Sequence, residues 1–373
     1  MIHPSLREAV DGLQQDLQAI RTGREQDADK TLLEALELVS QKRFNLFLDG
    51  IQRYRSHPYQ RTAQNRPIAA QSGNTCLLDF SDGRQGAEPV LVIPSLVNRA
   101  YILDLTPENS FMLWLRDQGL TPYMVDWGSP GQDEHGFSLS DYTGRLADFI
   151  DEIGDRHGRP VSVIGYCMGG LLALGAAIHR QEKTATLTLL ATPWDFHSDG
   201  GRQSALLGMM MPMIHQTIET VGFLPTDALQ MFFTGLDPLL ALRKFTKFAS
   251  TAPDGEFAKS FVALEDWLND GVPLVGPAAL DCLEGWYQQN RTHQKNWHLF
   301  GEPVDPQQLE IPSLALIPQG DRIVPPASAE ALAQQLPICR SRSINAGHIG
   351  MMAGRRAASS TWPLIGEFIR KSG

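Results

Sequence analysis

Cysteine is scarce in this chain. Four residues in 373 (Cys76, Cys167, Cys282 and Cys339) are scattered with no CxxC pair and no Cys/His ligand spacing, so neither a disulfide framework nor a metal site is indicated. Positive charge is also in deficit: 32 Lys and Arg stand against 42 Asp and Glu, a formal net charge of −10. That balance argues against nucleic acid or an anionic membrane as the main partner, and it makes any anionic substrate depend on a local basic patch. Long apolar runs are missing; nothing approaches the roughly 18 residues that a membrane-spanning helix requires. No signal peptide opens the sequence. The expected location is the cytoplasm, a reducing compartment in which a free thiol persists, and no motif asks for a cofactor.

What is present is ordinary in bulk and specific in detail. Hydrophobic residues make up 42% and charged residues 20%, which suits one large α/β domain with an insertion or two ordinary domains. Residues 1–60 are polar with apolar positions at helical spacing (Leu13, Leu17, Ile20; Leu32, Leu36, Leu38) and predict a helical leader without recognisable chemistry. Residues 61–74, rich in Gln, Asn, Ala and Gly, read as a linker. From residue 75 the period changes. Strands are predicted at Leu77–Phe80, Pro89–Ile93, Tyr123–Val125, Val161–Ile164 and Thr184–Leu190, and the continuous apolar runs among them mark strands covered on both faces. Helices are predicted over 109–118 and 139–157, the second opened by Ser138 and Asp141 at capping-box spacing.

Alternation of this kind specifies a mostly parallel sheet with helices on both faces. It stops after Ala191-Thr192-Pro193 and resumes at Ser313–Ile317. The intervening stretch is Met-, Phe- and Leu-rich and mainly helical, so it predicts an inserted cap. Its apolar faces serve ordinary helix packing or line a channel for a greasy substrate. The expected division is therefore 1–74 as leader and linker, 75–193 with 311–373 as the sheet domain, and 194–310 as the cap.

One stretch carries the chemistry. Val161–Gly170 reads V-S-V-I-G-Y-C-M-G-G, a β-branched run, a sharp turn and a helix start, which is the G-x-S-x-G nucleophile elbow with Cys167 in the Ser position. Small residues at Gly165 and Gly169 let strand and helix approach closely, and the helix start favours a thiolate. Downstream, Asp321 follows the strand at 313–317 and His348 follows a short strand near 340–344. Nucleophile, acid and histidine thus occur in the order of the α/β-hydrolase fold, at strand ends that converge in an open α/β sheet. A thiol is only partly ionised near neutral pH and needs an imidazole to take its proton. Asp321 is expected to orient that imidazole or to assist a second proton transfer. The Met168 amide is expected to supply one oxyanion donor, and the loop after Pro89–Ile93, at Ser95 or Leu96, the second. Cysteine rather than serine favours acyl transfer from a thioester without excluding hydrolysis.

The sequence resembles the polyhydroxyalkanoate synthases, especially the short class III catalytic subunits. The likeness is carried by L-V-N-R-A-Y-I-L-D-L (Leu96–Leu105), V-D-W-G-S-P (Val125–Pro130), L-S-D-Y (Leu139–Tyr142), G-Y-C-M-G-G, A-T-P-W-D-F (Ala191–Phe196), D-R-I-V-P-P (Asp321–Pro326) and A-G-H-I-G (Ala346–Gly350). It implies an α/β-hydrolase fold with a cap. Cys167 would hold the growing acyl chain, His348 would deprotonate it, and Asp321 would activate the 3-hydroxyl of the incoming unit. The implied substrate is a 3-hydroxyacyl-CoA, of short chain such as 3-hydroxybutyryl-CoA, and the product a polyester with release of CoA. A homodimer, a second non-catalytic subunit and association with polyester granules complete the expected partners. The chain departs from the family in having Arg322 after the acid, where His is usual, and in a loosely matching W-L-N-D-G-V-P (Trp267–Pro273). Two alternatives stand beside the synthase: a Cys-triad hydrolase, either thioesterase or intracellular polyester depolymerase, and a granule-associated relative with a vestigial triad.

Overall fold

A computed structural model describes residues 27–62, 64–83, 87–253 and 255–372. Leu13, Leu17 and Ile20 lie outside the described residues. The chain forms two compact units, one from residues up to Gln60 together with Asp237–Glu265, the other from Arg61–Leu236 with Asp266–Gly373. The segment 194–310 is therefore divided between them.

In the first unit, helix α1 (Asp27–Ser56) packs with the helix Leu240–Ala249. Phe248, Ala258 and Val262 form a buried cluster with Tyr54, Tyr59, Phe257 and Phe261 around it. The rings of Phe248 and Phe261 stack at 4.2 Å. Of the apolar positions expected to face inward on α1, Leu32 and Leu36 are half-buried, whereas Leu38 is 69% exposed.

The second unit holds the sheet. Among the described residues its strands are β1 (Ile68–Ser72), β2 (Thr75–Asp79), β3 (Pro89–Ile93), β4 (Thr121–Asp126), β5 (Val161–Tyr166), β6 (Thr184–Leu190), β7 (Ser313–Pro318) and β8 (Cys339–Ile344). Their order across the sheet is β1-β2-β4-β3-β5-β6-β7-β8. The contacts of β2 with β1 and β4 are antiparallel and every other neighbour is parallel. Strands β3, β5 and β7 are buried along their whole length, as continuous apolar runs require when both faces of a parallel sheet are covered.

Two expectations need correction. The stretch 61–74 is not all linker, since β1 lies within it and pairs with β2 as a hairpin. The helix expected over 109–118 is shorter, Phe111–Asp117 (α2), because the Ser110 side chain caps it by accepting from Leu113 N. The segment 194–310 is mainly helical as expected, with short strand pairs added: Phe223–Leu224 pairs with Leu274–Val275, and His298–Leu299 with Glu302–Pro303. On the helix Arg202–Val221, Leu207, Met211 and Ile214 are buried, but Met209 is 75% exposed, so the methionine-rich run splits between core and solvent.

Helix α3 (Leu139–His157) begins at the expected capping box, Ser138 N and Oγ both donating to Asp141. It carries Arg145, which is buried and paired with buried Glu134 at 2.5 Å. Arg145 Nη1 donates to Thr75 Oγ1 (2.8 Å), and Glu134 accepts from the amides of Asn74 and Gly131 (3.1 Å each). The network ties the β1–β2 hairpin to the loop before α3. Removing one partner leaves the other charge buried alone. Arg145→Met is expected to lower the unfolding free energy by about 3–5 kcal/mol, and adding Glu134→Gln should recover part of that loss. Urea denaturation of both variants tests this; an Arg145→Met protein of unchanged stability would remove the pair as an anchor.

Candidate active site

Strand β5 ends at Tyr166 and helix α4 (Met168–His179) begins two residues later. Cys167 sits between them with φ 55° and ψ −126°, a backbone conformation that costs a non-glycine residue on the order of 1–3 kcal/mol. Its amide donates to Leu190 O of β6 at 2.8 Å, and Gly170 N donates back to Cys167 O at 2.9 Å. The turn tolerates nothing larger than hydrogen at two places. A Cβ at Gly165 would strike Gly170 and Ala173, and one at Gly169 would strike the carbonyl oxygens of Ile93 and Pro94. The second contact seats the elbow on the loop that follows β3.

The other two expected residues come from neighbouring strands. Strands β7 and β8 pair in register up to Pro318 and Ile344, and their loops stay laced beyond the sheet: Gln319 N donates to Ile344 O and Gly320 N to Ala346 O, both at 2.9 Å. Asp321 and His348 are thereby brought together, His348 Nδ1 donating to Asp321 Oδ2 at 2.6 Å. Asp321 Oδ1 accepts from the amides of Ile323 (2.8 Å) and Val324 (2.9 Å), so both carboxylate oxygens are committed. Cys167 lies close enough to His348 for its charge to act on the ring. All three side chains are secluded, with Cys167 and His348 9% exposed and Asp321 6%.

Burial alone depresses an imidazole pKa. Here the charges of Cys167 and Asp321, and the hydrogen bonds to both, overcome that effect and raise His348 to about 10. The sign for stability follows. The folded value lies above the roughly 6.5 of an unperturbed histidine, so the contribution is complete below about pH 6.5 and is lost as pH rises toward 10. His348→Gln should therefore cost most stability near pH 6, and the gap to the parent protein should narrow up to pH 10. Denaturant midpoints measured across that range check it; a gap independent of pH would contradict it.

Met168 and Leu96, the expected oxyanion donors, are both buried, and neither amide is used by a hydrogen bond among the described residues. Two tyrosines were not singled out by the sequence. Tyr166 stacks on the His348 ring at 5.3 Å and donates its hydroxyl to His348 O at 3.1 Å, fixing the histidine from behind. Tyr287 lies in a π-helical turn, Asp281–Gln288, a rare form that often accompanies function. Burial first, and then the charges of Cys167, Cys282 and Asp321, push its phenol pKa up, which places Tyr287 in the electrostatic neighbourhood of the thiol. The A-T-P-W-D-F segment is knotted to the same region: Phe196 N donates to Asn290 Oδ1 (2.9 Å), Asn290 Nδ2 to Asp195 Oδ1 (2.8 Å), and His197 Nε2 meets Tyr287 O at 3.0 Å. Among the described residues no group of three or more His, Cys, Asp or Glu is arranged to hold a metal ion, and no helix is long and apolar enough to cross a membrane.

The model of the alpha/beta hydrolase family matches residues 90–358. Similar proteins include three named poly(3-hydroxyalkanoate) polymerase subunit PhaC. That of Synechocystis sp. is 30% identical over 291 residues, 75% of this chain and 77% of the relative. That of Allochromatium vinosum is 28% identical over 300 residues, covering 79% and 84%. That of Haloarcula marismortui is 29% identical over 296 residues, covering 78% of this chain and 62% of the relative. The chain thus spans less than two thirds of the haloarchaeal protein's length.

Proposed function

Because the chain belongs to the alpha/beta hydrolase family and, within it, to the PhaC family of poly(3-hydroxyalkanoate) polymerase subunits, we propose that it transfers 3-hydroxyacyl groups from CoA to a growing polyester through Cys167. The single observation that carries this reading is a cysteine held in a strained elbow, with its charge acting on a buried, hydrogen-bonded His348–Asp321 pair. Short-chain units such as 3-hydroxybutyryl-CoA are the proposed substrate. The same reading takes 194–310 as the cap, a cytoplasmic, granule-associated enzyme as the setting, and a homodimer with a second subunit as the working assembly.

The proposed sequence uses each group once per half-reaction. His348 accepts the Cys167 proton and the thiolate attacks the thioester carbonyl carbon. The carbonyl oxygen becomes an oxyanion facing the amides of Met168 and Leu96, whose donors act most strongly where water is excluded. The carbon–sulfur bond to CoA breaks, and the leaving thiolate takes the proton from His348. In the second half the 3-hydroxyl of another unit gives its proton to His348 and attacks the acyl-Cys167 carbonyl. An ester forms and Cys167 leaves as the thiol. Asp321, with both oxygens already engaged, acts through His348 by holding and strengthening it as a base.

Seclusion of the three side chains supports transfer to a hydroxyl over transfer to water. The test is incubation with 3-hydroxybutyryl-CoA, with and without a candidate second subunit. Chloroform-soluble polyester with matching CoA release is expected. Stoichiometric free acid without oligomer, even with the second subunit present, would overturn the synthase reading in favour of a thioesterase.

A further inference from the structure

The loop after β3 has to hold the Leu96 amide still, yet it has no regular structure of its own. An oxyanion donor works only within about 2.7–3.1 Å of where the charge develops, and a misplacement of about 1 Å costs on the order of 100-fold in rate. Something outside the loop must therefore impose its path. On the near side it is anchored at Pro94, whose carbonyl oxygen accepts from Trp127 Nε1 at 3.2 Å and rests against Gly169.

The far side is anchored by the stretch that matched its family only loosely. Val272 N donates to Val97 O at 3.0 Å, Asn98 and Gly271 form an antiparallel bridge, and Trp267 Nε1 donates to Arg99 O at 2.7 Å. The side chains of the V-N-R-A-Y run turn the same way. Arg99 pairs with Asp270 at 3.4 Å and donates to Ser129 Oγ at 3.0 Å, and the Arg61 guanidinium lies over the Tyr101 ring at 4.0 Å. Trp267 and Val272 are buried. Gly271 is required at its place because a Cβ there would run into the Thr226 side chain. Leu96 lies between the two anchors.

We infer that Trp267–Val272 is a brace for the oxyanion loop, and that Trp267, through its indole N–H on the Arg99 carbonyl, is a positioning residue for the Leu96 donor. The inference rests on the acyl-transfer reading above and assigns a role to residues outside the triad.

Two chemistries at Cys167 separate a positioning role from a general structural one. Acylation by p-nitrophenyl butyrate passes through an oxyanion and needs the loop in place. Alkylation by iodoacetamide displaces iodide at a saturated carbon and needs only the thiolate. Trp267→Phe keeps the ring and loses the donor; Gly271→Ala disturbs the brace from the backbone side. Both are expected to slow the p-nitrophenol burst about 10- to 100-fold, with KM for the ester and the alkylation rate of Cys167 unchanged. Burst rates equal to those of the parent protein in both variants would overturn the inference. So would a proportional loss of burst and alkylation, which signals collapse around Cys167 and His348. A parent protein that shows the burst but releases no CoA from 3-hydroxybutyryl-CoA would sink the synthase reading while leaving the brace to stand or fall on the variants.

Discussion

Cys167→Ala is expected to abolish both CoA release from 3-hydroxybutyryl-CoA and polyester formation, a loss of about 10⁴-fold or more. No other thiol is placed to substitute. Cys282 is fully buried, and burial, reinforced by Asp281, pushes its pKa well up. Burial also raises Cys76, with Asp126 adding to it, and takes Cys339 to about 11. Of the four, Cys167 stands at a helix start, close enough to the His348 imidazole for its charge to act on the ring. Coupled assays of CoA release and polymer yield measure the effect. Residual CoA release above about one per cent of the parent rate would mean that the thioester is attacked by another group, and the elbow would lose its assigned part.

The second large effect is expected at the base, and it separates the two half-reactions. His348→Ala leaves the thiol without a proton acceptor, so acylation itself should fall by about 10²–10⁴-fold. Asp321→Ala should behave differently. A thiol is acidic enough for an unsupported imidazole to deprotonate in part, whereas an alcohol is not. Acyl-enzyme should therefore still form slowly in Asp321→Ala while chain transfer stalls, so that protein labelled from radioactive 3-hydroxybutyryl-CoA accumulates. Equal losses in both steps would show that Asp321 only holds the ring. Near-parental turnover in His348→Ala would remove the triad assignment altogether.

Much of this was legible in the sequence where local pattern and final environment coincide. Pro89–Ile93 announces itself because a strand covered on both faces is apolar throughout, and Thr184–Leu190 by its β-branched threonines alternating with apolar residues; both bounds are as expected. Strand β1, I-A-A-Q-S, is small and half-exposed; only its pairing with β2 makes it a strand, and pairing partners are not written in a five-residue window. The joining of Leu240–Ala249 with α1 was hidden for a related reason, since an apolar helix face does not say which helix it meets. Cys167, Asp321 and His348 stand out as candidates because each follows a strand in a recognisable order. Tyr166, Tyr287 and Trp267 do not: a stacked ring, a π-turn and an indole N–H on a distant carbonyl are all products of tertiary folding. Even so, the V-N-R-A-Y run and W-L-N-D-G-V-P are both visible as strings in the sequence, and their contact gives them a common purpose.

The position of His348 also sets when the enzyme becomes dangerous. The thiol is supplied by a central strand, but its base arrives on the loop after β8, an edge strand, about 180 residues later in synthesis. At roughly 5–20 residues per second, a ribosome needs on the order of 10–40 s to cover that distance. Throughout that interval a nascent chain carries Cys167 without the imidazole that would ionise it. On the proposed mechanism, the order of the chain itself thus delays acylation until the base has been made.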